Sequence, residues 1–249
     1  MNQKTIKKYS SLALKKYRDK HGLFLVEGNH AVDELLKSAW EIEYLITSNS
    51  EKFQKLNSVG RIPNLELVKP AVIDRIATAK TPQEILGVAK IPQISETDLT
   101  VYKRIIISDR IKDPGNMGTI IRTARAFGFD AVITTLNSVD IYNPKVVRAT
   151  QGAMFGIRVL AEFEAKDVVE ILKPSHKFYA LTPEGNIDID EIEPDKNSVL
   201  IIGTEIEGVS RTLRDHSDFL VRIPHSESVE SLNAAVAAGI AMYRFGKKI

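Results

Sequence analysis

The sequence predicts an α/β protein whose second half forms a parallel sheet with helices on both faces. Short continuous apolar runs, such as residues 198–202, alternate there with segments of helical periodicity. Strands that are apolar at every position are typical of parallel sheets, because such sheets are covered on both faces. The order strand, helix, strand, which begins at residue 104, indicates βαβ units.

The elements of the second half follow from this alternation in chain order. We predict strands at 104–109, 131–134, 156–160, 178–181, 198–202 and 219–223. We predict helices that end near residue 127, span 144–151 and 166–173, and begin near residue 231. Residues 234–241 are rich in small residues, which suits a helix packed closely against another helix, including one of a partner chain.

The first half has the pattern of a smaller α/β module. We predict a basic helix near 5–20, helices at 29–39 and 71–77, and strands at 23–26, 42–46 and 85–89. Residues 91–98 are polar, contain a proline and lie between two apolar strands, as a domain boundary does. We therefore predict one domain over residues 1–92, a linker over 93–101 and a second domain over 102–249.

Composition excludes several classes of site. The chain has 249 residues, 43% of them hydrophobic, and no cysteine. The absence of cysteine excludes disulfides, thiolate zinc sites and a cysteine nucleophile, and five scattered histidines do not predict a metal centre. No apolar run reaches the length of a membrane span and no signal peptide follows Met1, so we expect a cytoplasmic protein without membrane contact.

Charge is distributed unevenly along the chain. The net charge is only +2, but residues 1–22 carry seven basic side chains against one acidic side chain, a net charge of +6. A basic segment of this kind suits the phosphate backbone of a nucleic acid. A solvated helix face is the alternative interpretation.

A glycine-rich helix entrance follows the strand at 104–109. Residues 113–119 lack the Gly-Lys-Ser/Thr ending of a P-loop, and Gly115 and Gly118 do not fit the spacing of the dinucleotide fingerprint. This argues against a cofactor that is held by its phosphates. What remains is an amide side chain, Asn116, at the entrance and Arg122 further along the helix.

Polar residues also follow the strands at 198–202 and 219–223. Glu205 comes directly after the first strand, and the loop after the second leads to Ser231 and Asn233. Ligands of open α/β sheets gather at the carboxyl ends of strands, so these loops predict a site. Ser231 also stands where a helix N-cap serine belongs, and no histidine and acid pattern around it indicates a hydrolase triad.

Three motifs in this order resemble the SpoU (TrmH) family of RNA ribose 2′-O-methyltransferases, of the SPOUT superfamily. They are residues 113–124, 202–210 and 223–237, where the third motif begins Ile-Pro and ends Glu-Ser-Leu-Asn-Ala-Ala-Val-Ala. Residues 148–155 are also similar, with Thr150 where serine is usual. Residues 24–28 resemble the start of the family's substrate-binding domain, which is of the L30e type. Glu227 departs from the third motif, where glycine is usual.

The resemblance implies a methyl donor, S-adenosyl-L-methionine, held in a deep C-terminal trefoil knot. By motif position, Gly203, Ile223 and Leu232 would line the donor pocket. The resemblance also implies a homodimer whose site is completed across the subunit interface, and an RNA partner. The 2′-hydroxyl that would accept the methyl group distinguishes RNA from DNA.

The resemblance places five residues around that hydroxyl: Asn116, Arg122, Glu205, Ser231 and Asn233. Arg122 is often described as the general base in the family. Because a guanidinium is protonated up to a pKa above about 12, we expect Arg122 instead to hold a phosphate or a developing alkoxide. On this hypothesis Glu205 and Asn116 orient Arg122, while Ser231 and Asn233 shape the pocket.

Several alternatives stay open at the level of the sequence. Ribosomal RNA of the 23S type is the favoured substrate, and transfer RNA is the second choice. A non-catalytic RNA-binding ribosome assembly factor would share the basic segment, and a dehydrogenase with a degenerate nucleotide fold is a more distant possibility. The sequence identifies neither the modified nucleotide nor any antibiotic-resistance role.

Overall fold

The computed structural model describes residues 1–58, 62, 64–92, 99–226 and 228–246. Its contacts divide the chain into two compact units, Met1–Gln93 with Asp140–Gly156, and Ile94–Val139 with Ile157–Ile249. The division differs from the predicted domains because residues 140–156 belong to the first unit. Most of the predicted linker lies outside the described residues, so its bounds stay a prediction.

The first unit is built on a mixed sheet of four strands with the order β1-β4-β2-β3. The strands are β1 (Leu23–Glu27), β2 (Ile42–Thr47), β3 (Leu65–Leu67) and β4 (Ile85–Lys90). β4 is antiparallel to β1 and β2, and β3 is parallel to β2. The helices are α1 (Gln3–Ser10), α2 (Lys15–His21), α3 (Asn29–Lys37), α4 (Ser50–Ser58), α5 (Pro70–Ile76) and, from the later segment, α7 (Pro144–Ala149).

The basic N-terminal segment forms two helices, so the prediction of one helix near 5–20 was wrong. A 3₁₀ turn over Ser11–Ala13 separates α1 from α2 and buries Leu12. Arg18 is only 2% exposed and its guanidinium lies 2.5 Å from the carboxylate of Asp140, so it is not part of the free basic surface. Lysines on the exposed surface remain: Lys4, Lys7, Lys15, Lys16 and Lys20.

The second unit contains a seven-stranded sheet with the order β7-β6-β5-β10-β8-β11-β9. The strands are β5 (Arg104–Ser108), β6 (Ala131–Thr135), β7 (Arg158–Phe163), β8 (Lys177–Leu181), β9 (Ile187–Asp188), β10 (Ser198–Ile202) and β11 (Phe219–Arg222). Every pairing in it is parallel, which confirms the predicted sheet. The helices are α6 (Pro114–Ala126), α8 (Ala165–Leu172), α9 (Arg211–Asp215) and α10 (Ala234–Phe245).

The strand order reverses between β5 and β10. From β5 the chain runs outwards through β6 and β7, and the later strands lie on the other side of β5. The last residues of the two strands, Ser108 and Ile202, are register partners, so the loops that follow them begin side by side. A reversal point of this kind creates a crevice at the carboxyl ends of the strands. The trefoil knot stays a prediction.

Both central strands are buried, apart from the partly exposed Arg104 at the start of β5. Ile105, Ile107, Val199 and Ile201 have no exposed surface and belong to one apolar cluster. Burying such side chains contributes about 1.5–3 kcal/mol each, which gives the loops at the strand ends a rigid base. Among the described residues, no helix is long and apolar enough to cross a membrane.

Candidate active site

The loop after β10 folds back on itself immediately. Thr204 and Gly208 form an antiparallel bridge, with the Gly208 amide donating to the Thr204 carbonyl at 3.0 Å. Gly208 has a φ of +63°, and a Cβ on Gly203 would lie 2.1 Å from the Gly208 carbonyl carbon. Because no side chain fits at residue 203, only glycine there allows the turn that carries Glu205 and Glu207.

One oxygen of Glu205 accepts three hydrogen bonds. The side-chain amides of Asn116 and Asn233 donate to Oε1 at 2.9 and 3.2 Å, and the Ala234 backbone amide donates at 3.0 Å. The Asn233 amide also donates to the Asn116 Oδ1 atom at 3.0 Å. The structure thus brings together three of the predicted catalytic residues, which come from three separate motifs.

Helix capping fixes the two asparagines. The Asp113 carboxylate accepts from the Asn116 backbone amide at 2.8 Å and begins α6, with Pro114 at its first position. The Asn233 Oδ1 atom accepts from the Ala235 and Val236 amides and begins α10. The interpretation of Ser231 as the N-cap was therefore wrong, because Asn233 has that role.

A cavity of about 270 Å³ lies where β8, β10 and β11 end. The three residues predicted to hold the methyl donor line it together with two of the predicted catalytic residues: Gly203, Ile223, Leu232, Glu205 and Ser231. Residues 181–184 also line the cavity and were missed in the sequence. Their position at the end of a strand of the same sheet is the signal that could have identified them.

Acidic side chains predominate among the charged groups of the cavity. Four glutamates line it, Glu184, Glu205, Glu207 and Glu230, together with Arg214 and His225. The Thr182 hydroxyl donates to Glu184 and holds the pKa of that carboxyl below its usual range. These acidic side chains suit S-adenosyl-L-methionine, because this ligand carries a positive sulfonium and no phosphate.

Arg122 lies apart from the other predicted catalytic residues. It is six positions after Asn116 on α6, which places it about 9 Å further along the helix axis and about 240° around it. Its side chain is exposed, does not line the cavity, and has no hydrogen bond or ion pair to any residue that the structure describes. The expectation that Glu205 and Asn116 orient Arg122 is therefore not met within one chain.

Two further expectations concern this region. Glu227, the residue that departs from the third motif, lies outside the described residues. Within the described ranges, no cluster of histidine, aspartate and glutamate side chains could hold a metal ion.

Comparison with known proteins identifies the family. Residues 103–243 match the SpoU rRNA Methylase family, and residues 3–87 match the MRM3-like substrate binding domain. This chain belongs to the SpoU rRNA Methylase family. The resemblance found in the three motifs is confirmed, and with it the enzyme class, a methyltransferase.

Relatives of this SpoU methylase match along almost the whole chain. The 23S rRNA (guanosine(2553)-2′-O)-methyltransferase RlmP of Bacillus subtilis is 32% identical over 97% of this chain and 95% of its own. The crystal structure of an AdoMet-bound rRNA methyltransferase from Sinorhizobium meliloti has a TM-score of 0.86 and 29% identity, with 97% and 94% of the two chains covered. The SpoU methyltransferase AviRb of Streptomyces viridochromogenes, solved with AdoMet, has the same fold at a TM-score of 0.88 and 24% identity, covering 98% and 97%.

Proposed function

We propose that this chain transfers a methyl group from S-adenosyl-L-methionine to a ribose 2′-hydroxyl of ribosomal RNA, in an RNA of the 23S type. The observation that carries the proposal is the hydrogen-bonded group of Asn116, Glu205 and Asn233, of which Glu205 also lines the donor cavity. The name of the Bacillus subtilis relative supports 23S rRNA over transfer RNA.

The reaction is an in-line displacement. The donor, when bound, supplies an electrophilic methyl group; the ribose oxygen forms a bond to that carbon as the carbon–sulfur bond breaks, and the hydroxyl proton passes to a base or to water. The Oε1 atom of Glu205 accepts all three of its hydrogen bonds, and Oε2 has no partner among the described residues. We assign Oε2 to the incoming ribose hydroxyl, which it would orient towards the cavity.

Arg122 requires a second subunit in this proposal. α10 presents an apolar stripe, with Val236, Ile240 and Tyr243 exposed by 53, 40 and 76%. α10 packs against α6, and the Tyr243 ring contacts Phe127, the residue that caps the end of α6, at 5.7 Å. Burying this stripe against a second copy would form a homodimer next to the helix that carries Arg122. We propose that Arg122 completes the site of the partner subunit, where it holds the nucleotide and stabilises the alkoxide.

The first unit recruits the RNA in this proposal. Five of its exposed lysines, Lys4, Lys7, Lys15, Lys16 and Lys20, lie on the two N-terminal helices. Phosphate contacts by such lysines make binding weaken steeply as the salt concentration rises. A ribosomal substrate also places the protein in the cytoplasm.

The test is methyl transfer to defined RNA pools. We would incubate the purified protein with labelled S-adenosyl-L-methionine and, separately, 23S rRNA and total transfer RNA from a strain that lacks the gene. A 2′-O-methyl group blocks alkaline cleavage of the next phosphodiester bond, so one missing band would locate it. We expect methyl transfer to 23S rRNA, and we expect Arg122→Ala to abolish it. The control Arg211→Ala, which changes an exposed side chain of α9, should leave it intact.

Each other outcome changes the conclusion in a defined way. Transfer to transfer RNA alone would replace the substrate. Donor binding without transfer to either pool would point to an assembly intermediate as the substrate. If the protein binds no donor, the catalytic proposal is wrong and an RNA-binding assembly factor is favoured. For Arg122→Lys, full recovery of activity once lysine deprotonates would show a base role in place of the clamp.

A further inference from the structure

Arg110 follows β5 in a backbone conformation that is unusual for a side chain of its size. Its φ is +58°, in the left-handed region, which glycine and asparagine adopt more readily. The Arg110 amide donates to the Thr135 hydroxyl at 2.9 Å, which fixes this conformation. In this turn the Arg110 side chain reaches the loop after β10.

The Arg110 guanidinium binds the second half of that loop. Its Nη1 atom donates to the Glu207 carboxylate at 2.6 Å, and Nη2 donates to the Gly208 carbonyl at 3.3 Å. The Arg110 side chain is 27% exposed and the Glu207 side chain is 59% exposed, so this ion pair is shielded from water on the Arg110 side only. Gly203 packs directly against Gly208, and both residues line the cavity. By binding Gly208, Arg110 therefore holds the turn that forms the cavity wall.

Asp109, the preceding residue, binds the same loop at Ser210. It is 1% exposed; one carboxylate oxygen accepts from the Thr135 hydroxyl at 2.9 Å, and the other accepts from the Ser210 amide at 2.6 Å. Two consecutive residues at the end of β5 therefore bind Glu207, Gly208 and Ser210. Glu205, at the other end of the turn, is held independently by the starts of α6 and α10.

We propose that Arg110 is a positioning residue for the methyl donor. By holding Glu207 and Gly208, Arg110 keeps the turn over residues 203–208 in the shape that lines the donor cavity. Because Glu205 has its own attachments, losing the Arg110 side chain loosens the donor wall while the residues assigned to the ribose stay in place. The inference rests on the proposed function, since it takes this cavity to be the donor site.

The variant Arg110→Asn separates the side chain from the backbone. Asparagine tolerates the left-handed conformation, so the turn at residue 110 is kept while the bonds to Glu207 and Gly208 are lost. We expect the Kd and the KM for S-adenosyl-L-methionine to rise about tenfold, as for loss of a hydrogen bond to a charged group, with kcat changed by less than about twofold. Arg110→Lys, which keeps the charge, should fall between the wild type and Arg110→Asn.

The matched control is Arg211→Asn, because Arg211 pairs with Asp215 on the exposed surface of α9. Calorimetric titration with S-adenosyl-L-methionine, thermal unfolding and a double-mutant cycle with Glu207→Gln complete the test. We expect Glu207→Gln to weaken donor binding and the double variant to weaken it by less than the sum of the two.

Three results would overturn the inference. They are a lower unfolding temperature with unchanged donor Kd, equal effects of the Arg110 and Arg211 variants, and strict additivity with Glu207→Gln. If the wild type binds no donor, the proposed function itself fails, and this inference with it. If the wild type binds the donor and the Arg110 variants bind it equally well, only the role of Arg110 is rejected and the proposed function stands.

Discussion

At the scale of single residues, Glu205 links two other predicted catalytic residues, Asn116 and Asn233. Its Oε1 atom is the shared acceptor for Asn116, Asn233 and the first amide of α10. The positive end of the α10 dipole favours a negative charge at this point. A carboxylate here therefore does two things: it joins three chain segments, and it presents a second oxygen to the substrate.

Replacing Glu205 should remove both roles. For Glu205→Ala we expect kcat to fall about 10²- to 10³-fold, because the group that orients the attacking hydroxyl is lost. Glu205→Gln can keep the shared acceptor, so its kcat should fall less. Methyl transfer at saturating donor and RNA measures both, with Glu170→Ala on the exposed side of α8 as the control. Equal activity of Glu205→Ala and the control would contradict the assignment.

The buried Tyr179 predicts that stability depends on pH in the alkaline range. Burial, together with the hydrogen bond from its hydroxyl to Asp195 at 2.7 Å, raises the pKa of Tyr179 to about 12. The folded state thus favours the neutral phenol, and this contribution to stability is full below about pH 10 and lost as the pH rises towards 12. Burial also raises the pKa of Tyr9 to about 12, so tyrosinate absorbance at alkaline pH should show a late phase with two contributors, and Tyr179→Phe should reduce its amplitude. An unchanged late phase in Tyr179→Phe would contradict the prediction.

At the scale of elements, Asn233 joins the stability of a helix to the geometry of the site. Its oxygen caps α10, while its amide nitrogen donates to Asn116 and Glu205. The two functions use different atoms of one side chain, so substitution can separate them.

Asn233→Ser should keep the cap and lose the amide, because serine is a good N-cap residue. We expect nearly wild-type stability with reduced kcat. Asn233→Ala should lose both, with a cost of about 0.5–2 kcal/mol in unfolding free energy. Asn143→Ala removes the cap of α7 alone and is the control, expected to lower stability but not kcat. Wild-type kcat in Asn233→Ser would show that the amide has no catalytic part.

The elements also show what the sequence could and could not predict. The strands of the second sheet were predictable because continuous burial leaves an apolar run, as in β10. α4 was missed because none of its residues is buried, so it has no strong apolar stripe. The motifs were enough to predict that Gly203 and Glu205 belong to the site. The contacts of Arg110 depend on a left-handed backbone conformation that no local sequence pattern indicates.

At the scale of the whole molecule, the two units do not follow chain order. Residues 140–156, which sequence continuity assigned to the second domain, complete the core of the first. Tyr142 and Phe155 pack against Phe24 at ring distances of 4.9 and 6.5 Å, and Phe155 meets Trp40 edge to face at 5.3 Å. Long-range packing of this kind leaves no signal in either stretch taken alone.

Ion pairs also join residues 140–156 to the rest of the first unit. Asp140 binds the buried Arg18, and the Arg148 guanidinium donates to the buried carboxylate of Glu27 at 2.9 Å. A buried charge that loses its partner is strongly destabilising, by about 3–5 kcal/mol. A fragment that ends at residue 92 would keep the neutral hydrogen-bond partners of Arg18 and Glu27 but lack the ion-pair partner of each.

We therefore predict that residues 1–92 alone are much less stable than the first unit of the intact chain. Trp40 is the only tryptophan of the chain, so its fluorescence reports on this aromatic cluster. In the fragment its emission should shift to longer wavelength, and unfolding in urea should lose cooperativity. In the full chain, Tyr142→Ala should cost about 3–5 kcal/mol, as for a large buried aromatic side chain. Tyr243→Ala, on the exposed face of α10, should leave Trp40 emission unchanged. A fragment with the native Trp40 spectrum and a full cooperative transition would show that the first ninety residues are sufficient, and that residues 140–156 only cover a core that is already formed.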